Sequence, residues 1–259
     1  MTADGTAHDE REPSLSLVIP AYNEAARIAR TAQEAAAFLS SQPYPTELLV
    51  VDDGSTDGTA ALAREALAGN SAARVIEIPH GGKAAALRTG MRAARLDQVA
   101  FSDADLAVPL PALADLRAAL ARGCDVAIGS REGAGARRLG EPEYRHLMGR
   151  AFNLLVRALL LPGIHDTQCG FKLFRRETAA DILDHALLYN DGSEILGPRV
   201  TAFDVELLAV ARARGWRVCP IPVVWTYGEG SKVQPLRDSW HNIRDVLAVW
   251  TNARRGRYR

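Results

Sequence analysis

The feature that most constrains this chain is a unit repeated through its first half: a short apolar run, a polar cluster, then a helical stretch. Leu15-Ser16-Leu17-Val18-Ile19 leads into Tyr22-Asn23-Glu24 and an alanine-rich helical run over about 24–39. Glu47-Leu48-Leu49-Val50-Val51 ends at Asp52-Asp53-Gly54. Arg74-Val75-Ile76-Glu77-Ile78 is followed by His80-Gly81-Gly82-Lys83, and Gln98-Val99-Ala100-Phe101 by Ser102-Asp103-Ala104-Asp105. Asp125-Val126-Ala127-Ile128 is a further run of the same kind. Apolar runs this short, bounded by turn residues, read as buried strands. Strands alternating with helices predict an α/β fold with a mostly parallel sheet covered on both faces. Ligands of such sheets bind beyond the carboxyl ends of the strands. The polar clusters all fall at those ends, so they would meet along one sheet edge.

The rest of the chain is less regular. Residues 1–13 are polar, end in Pro13, and read as a disordered tail. Asp57 is placed to cap the helix that follows the second strand. Past residue 130 come a Gly/Arg-rich loop over 132–143, an amphipathic helix over 144–161, and long loops over 187–201 and 227–236. Loops of that length in a compact enzyme serve as lids or binding loops. A chain of 259 residues fits one large domain.

Composition excludes several classes. Lys plus Arg and Asp plus Glu number 31 each, so global charge gives no reason to expect a nucleic-acid partner. The three cysteines, Cys124, Cys169 and Cys219, are odd in number and widely spaced. They suggest neither a disulfide framework nor a zinc site, and fit a reducing, cytoplasmic setting. No apolar run near the N-terminus marks a signal peptide. The most apolar stretch, 152–161, is interrupted by Arg157 and stopped by Pro162, too short to cross a bilayer.

Asp103 and Asp105 stand at a strand end with one residue between them, so in extended backbone both carboxylates face the same way. Two such oxygen donors suit Mg²⁺ or Mn²⁺ with positions left for a diphosphate. Alone, the pair is a weak signal and reads more readily as two surface aspartates in a turn. Asp52-Asp53 could hold ribose hydroxyls or a uracil imide, or belong only to a turn. His80-Gly81-Gly82-Lys83 could bring backbone and a cation close to phosphate.

Taken together, Val18-Ile19-Pro20-Ala21-Tyr22-Asn23-Glu24, Val51-Asp52-Asp53-Gly54-Ser55-Thr56-Asp57-Gly58-Thr59 and Ser102-Asp103-Ala104-Asp105 resemble glycosyltransferase family 2, of the GT-A fold. Gly129-Ser130-Arg131, Asp166-Thr167-Gln168-Cys169-Gly170-Phe171-Lys172-Leu173-Phe174, Phe203-Asp204-Val205-Glu206-Leu207-Leu208 and Gly230-Ser231-Lys232-Val233 are similar to the dolichyl-phosphate β-glucosyltransferase branch and its bacterial polyprenyl-phosphate relatives. The resemblance covers about residues 14–250.

It implies a single GT-A (Rossmann-like) domain: a nucleotide-sugar-binding half over 14–130 and a smaller acceptor-binding half over 131–259. It implies a metal-dependent inverting transfer from a UDP-sugar, UDP-glucose or a relative. Pro20, Tyr22 and Glu24 would line the nucleotide pocket, with Asp53 near the base and Lys83 near the uridine or diphosphate. Asp103 would face the ribose or sugar, Asp105 would bind Mg²⁺ or Mn²⁺, and Lys232 would add a donor contact. Asp204 falls where the family carries an acid near the acceptor. If the acceptor is polyprenyl phosphate, Arg131 and Arg145 are the forks that would hold it.

Two departures keep the acceptor open. Many relatives in the lipid-phosphate branch carry a transmembrane helix, which this sequence lacks. Membrane contact would run through 144–161, with Arg145, Arg150 and Arg157 on a basic face, or through the basic C-terminal tail. The stretch 188–199 looks long for the family and would lie beside the acceptor. A soluble acceptor, such as a nucleoside, therefore stands as the alternative, and a non-enzymatic nucleotide-binding module as the remote one. The apolar helix expected at 238–250 offers a surface for a homodimer.

Overall fold

The computed structural model describes residues 11–189, 202–228 and 235–259. The strands are β1 (Leu15–Ala21), β2 (Thr46–Asp52), β3 (Ala73–Glu77), β4 (Gln98–Ser102), β5 (Val126–Ser130), β6 (Arg137–Leu139), β7 (Phe171–Arg175), β8 (Val218–Pro222) and β9 (Val224–Thr226). The helices are α1 (Ile28–Ser40), α2 (Thr59–Ala66), α3 (Gly82–Ala93), α4 (Leu113–Ala121), α5 (Glu143–Leu159), α6 (Arg176–His185), α7 (Phe203–Ala213) and α8 (Pro235–Arg254).

A seven-stranded sheet runs in the order β3-β2-β1-β4-β7-β5-β8. β3, β2, β1 and β4 are parallel, as the repeated strand–helix unit predicts. β7 enters antiparallel between β4 and β5, and β8 returns parallel to β5. The second half of the chain therefore extends the same sheet. β6 and β9 pair in parallel beside it. This small ribbon lies partly inside the segment expected as a Gly/Arg-rich loop.

Side-chain alternation divides the core into two layers. Leu15, Leu17 and Ile19 of β1, with Leu48 and Val50 of β2, pack against α1, α2 and α4. Val18, Leu49 and Val51 point the other way, into a layer built with α3, α6, α7 and α8. The period of two is a consequence of strand geometry. It leaves both sheet faces buried, which is why these strands read as continuous apolar runs.

Three expectations need correction. Asp57 is not the N-cap of α2. Gly58 occupies that position with φ 90°, and the Asp57 carboxylate reaches one residue further, accepting the Thr59 N–H at 3.1 Å. The cysteine reading also fails: Cys124 and Cys219 form a disulfide, 95 residues apart in sequence with Cα atoms 6.1 Å apart. The parallel β5–β8 pairing brings the two together, and wide spacing carried no trace of it. That pairing removes the cysteine argument for a reducing setting. Finally, Arg145, Arg150 and Arg157 were read as one basic face of α5, yet its exposed side is largely apolar, with Tyr144, Leu147 and Leu154 more than half exposed.

Residues 1–10 of the expected tail lie outside the described residues. Just beyond them the chain is anchored, because Arg117 donates to the Pro13 carbonyl at 2.9 Å. On α8, Ile243 and Leu247 are exposed while Val246 and Val249 enter the core. Among the described residues, no helix is long and apolar enough to cross a membrane.

Candidate active site

The carboxyl ends of β1, β2 and β4 and the start of α3 converge at one sheet edge. The β1–α1 loop is stapled to the β2–α2 loop by hydrogen bonds. The Asn23 N–H donates to Ser55 Oγ (2.9 Å), the Glu24 N–H to Thr59 Oγ1 (2.8 Å) and the Ala25 N–H to Asp57 Oδ2 (3.0 Å). The Thr56 N–H returns a bond to Asn23 Oδ1 (3.0 Å). The Ser, Thr and Asp residues of the Asp-Gly-Ser-Thr-Asp-Gly-Thr segment thus hold two loops as one wall.

Asp53 stands at the head of that wall. Its Oδ1 accepts the Gly81 N–H at 2.8 Å, and its Oδ2 lies 2.8 Å from His80 Nδ1. Burial pushes the Asp53 carboxyl upward, against the Gly81 N–H and His80, which favour the anion. The Tyr22 ring stacks on the His80 ring with centroids 4.0 Å apart. Gly54 makes this approach possible: its φ is +68°, and a Cβ there would come within 2.8 Å of the His80 backbone nitrogen. Pro20 is buried in β1 opposite Val51. Glu24 pairs with Arg27 at 2.9 Å.

The turn after β4 carries the acids. The Leu106 N–H donates to the Asp103 carbonyl at 3.1 Å, and Leu106 itself sits in the left-handed region at φ 48°, a local strain of the kind found at functional turns. Asp105 Oδ1 accepts the Ala107 N–H at 3.1 Å. The Asp103 N–H donates to the Gly170 carbonyl at 3.1 Å. A Cβ on Gly170 would overlap the Asp103 carboxylate as it now stands, so a larger residue there would have to displace that side chain. Lys83 Nζ meets Asp103 Oδ1 at 2.5 Å. Burial acts to lower the Lys83 pKa, but Asp103 and then Asp204 outweigh it and hold the ammonium charged. Burial and the neighbouring Asp103 raise the Asp105 carboxyl.

The acceptor-side residues fall into two groups. Asp204, in the first turn of α7, pairs with Lys172 of β7 at 2.5 Å. Lys172 is fully buried, also donates to the Cys169 carbonyl at 2.6 Å, and lies 5.2 Å from the Phe101 ring centroid. Arg131, after β5, makes a two-pronged pair with Asp166, through Nε at 2.7 Å and Nη2 at 2.9 Å. Burial of Asp166 acts to raise its carboxyl, yet the Arg131 guanidinium holds it down at about 2. Arg145, on α5, lies 5.3 Å from the Tyr227 ring centroid. The next residue, Gly228, adjoins Asp105 Oδ2, so Arg145 is linked to the acidic turn through this short segment. Lys232 lies outside the described residues.

The structure thus gathers Tyr22, Asp53, Lys83, Asp103, Asp105 and Asp204 around one edge, and commits both binding nitrogens of Arg131's fork to Asp166. Sequence reading passed over His80, Lys172 and Asp166 as separate functional residues. Lys172 had a visible signal, a charge inside the apolar strand Phe171-Lys172-Leu173-Phe174. His80 and Asp166 gain their roles only through partners 27 and 35 residues away.

A divalent cation is compatible with the residues present. The donors at the acidic turn are all carboxylate oxygens, the hard ligands that Mg²⁺ and Mn²⁺ take. Among the described residues no group of three or more potential metal ligands closes into a cage.

The model of glycosyl transferase family 2 matches residues 16–183. A dolichyl-phosphate beta-glucosyltransferase of Drosophila melanogaster is 35% identical, over 96% of this chain and 79% of its own length. The Homo sapiens protein of the same name is 34% identical, over 93% and 76%. Among solved structures, glucosyl-3-phosphoglycerate synthase from Mycobacterium tuberculosis, in complex with Mn²⁺, UDP-glucose and phosphoglyceric acid, matches with a TM-score of 0.65. It covers 93% of this chain and 79% of that one at 22% identity, a likeness of fold. With the sheet order, the acidic turn after β4 and the family match agreeing, the chain belongs to glycosyl transferase family 2 and is a glycosyltransferase built on the GT-A fold.

Proposed function

We propose that this glycosyltransferase moves glucose, or a close relative of it, from a UDP-sugar to polyprenyl phosphate with inversion at the anomeric carbon. The observation that carries the donor side is the Lys83–Asp103 pair beside Asp105. It puts a fixed cation and two carboxylates at the one edge where a parallel sheet presents ligands. The acceptor side is supported by relatives that are at least 34% identical over more than nine-tenths of the chain and named for dolichyl phosphate.

In this reading Tyr22 and the Asp53–His80 pair flank the base, with Pro20 and Glu24 completing the pocket wall. Lys83 lies along the diphosphate, Asp103 faces the ribose or sugar, and Lys232 adds a donor contact. Asp105, with Asp103 beside it, would hold Mg²⁺ or Mn²⁺, which offsets charge on the departing diphosphate when bound. The acceptor oxygen attacks the anomeric carbon on the face opposite UDP. A phosphate acceptor is already ionised and needs no proton removed. Asp204, held by Lys172, then shapes and charges the acceptor wall. Arg145 meets the acceptor phosphate, and Arg131, locked by Asp166, fixes the backbone beside it.

The test is incubation of the purified chain with radiolabelled UDP-glucose, polyprenyl phosphate and Mg²⁺ or Mn²⁺. Lipid-linked glucose is expected, and chelation should abolish it. Absence of lipid-linked sugar across a panel of UDP-sugars would overturn the acceptor assignment. Transfer to a soluble hydroxyl acceptor in the same assay would replace it with the alternative reading.

A further inference from the structure

The exposed side of α5 is a continuous apolar stripe. Tyr144, Leu147, Met148, Ala151, Leu154 and Ala158 are all exposed. Their spacings of three and four residues place them along one side of the helix, over about 21 Å at 1.5 Å per residue. Tyr144, Leu147 and Leu154 are 56%, 69% and 62% exposed, far more than single apolar residues scattered on a surface would require. The opposite side enters the protein through Asn153 and Val156. Helical periodicity puts Arg150 and Arg157 on one margin of the stripe and Arg145 on the other. The only acid on the helix is Glu143.

We propose that this stripe seats on an anionic lipid bilayer, with α5 lying in the plane of the interface. An apolar face margined by arginines is the pattern of an interfacial helix. Arginine also complements anionic headgroups. A second copy is a poor occupant. A two-fold antiparallel pairing of the stripe would set Arg150, near the helix midpoint, against the same residue of the other copy. The placement also serves the reaction. Arg145 stands over Tyr227 and Gly228 adjoins Asp105, so the Tyr144–Leu147 end of the stripe opens toward the acidic turn. A polyprenyl phosphate dissolved in that bilayer would then present its headgroup without leaving the membrane. This purpose rests on the acceptor reading above, whereas the binding itself does not.

The test is flotation of the full chain with vesicles of phosphatidylcholine containing phosphatidylglycerol, and with phosphatidylcholine alone, neither holding polyprenyl phosphate. The wild type should float with the anionic vesicles and less so as salt rises. The double variant Leu147→Glu/Leu154→Glu should lose about tenfold or more of that binding. Arg150→Glu should weaken binding to anionic vesicles while sparing what remains on neutral ones. Transfer to acceptor dispersed in detergent should be unchanged in the double variant. Wild-type protein that ignores anionic vesicles, or a double variant that binds them equally, overturns the proposal. So does a wild-type dimer that the double variant splits, since a second copy would then be the occupant. A double variant with a collapsed thermal midpoint also overturns it, because the chain itself would then cover the stripe. Failure of lipid-linked transfer with intact vesicle binding would count against the acceptor reading alone.

Discussion

Asp105 and Lys172 show how differently two charged residues contribute to one site. Asp105 stands beside Asp103, and desolvation within the turn and that neighbour both oppose its ionisation. A carboxylate kept under such pressure is a good partner for a cation and a poor one for the fold. Asp105→Asn should therefore reduce Mn²⁺-dependent UDP binding and sugar transfer on the order of a hundredfold, with little change in urea midpoint. Binding measured calorimetrically with and without metal checks this, and unchanged metal dependence would remove Asp105 as a ligand. Lys172 is the opposite case, fully buried and paired with Asp204. Lys172→Met would leave the Asp204 carboxylate buried without its cation, at a cost of about 3–5 kcal/mol. Urea unfolding measures it, and Lys172→Met/Asp204→Leu should recover most of the loss. If the double variant is no more stable than the single, the pair is not the source. The position of Asp105 was legible in the sequence because it follows directly on the end of a strand. The Lys172–Asp204 pair was not, because its two halves lie 32 residues apart on β7 and α7. Neither partner's local pattern identifies the other.

At the scale of elements, the Arg131–Asp166 pair ties the end of β5 to the loop that enters β7. β7 runs antiparallel between β4 and β5, against the direction of its neighbours, and the pair fixes the loop that leads into it. Asp166 has a folded pKa of about 2, below the unfolded value of about 3.9. Its stabilisation is therefore fully present above the unfolded value. It is lost as pH falls from about 4 toward 2, and amounts to on the order of 2 kcal/mol. Urea midpoints of the wild type should fall across that window, and Asp166→Asn, already destabilised at neutral pH, should fall less. Equal slopes would mean that other carboxylates govern acid unfolding. The parallel strands β1 to β5 could be read from their apolar runs, since β1, β2, β4 and β5 are buried on both faces and their centres are mostly apolar. The antiparallel insertion of β7 could not. Three large apolar residues in a five-residue strand state burial but carry no direction, and direction here depends on a connection made through residues 131–170. The β6–β9 ribbon escaped for a related reason, because its strands are three residues each and partly exposed.

The whole molecule is closed by a bond that links its middle to its end. Cys124 precedes β5, Cys219 lies in β8, and their disulfide pins the last strand of the sheet to its parallel neighbour. β8 is an edge strand, held on one side only, so a single neighbour supplies its ladder. A cross-link closing a loop of 95 residues restricts the unfolded chain and should stabilise the fold by roughly 4–5 kcal/mol on chain-entropy grounds. Cys169 behaves differently. It is buried against Gly129, and burial pushes its thiol up to about 12, so it holds almost no thiolate at neutral pH. The two facts combine into one expected pattern of thiol chemistry. Iodoacetamide should label no cysteine in the native protein, Cys219 ahead of the buried Cys124 after reduction, and all three only after reduction and denaturation together. Reduction should lower the urea midpoint, and Cys124→Ala/Cys219→Ala should match the reduced wild type while remaining insensitive to reductant. Mass spectrometry of the alkylated chain reads out every state. Rapid labelling of Cys124 in the unreduced native protein would show that the edge strand is held by β-pairing alone.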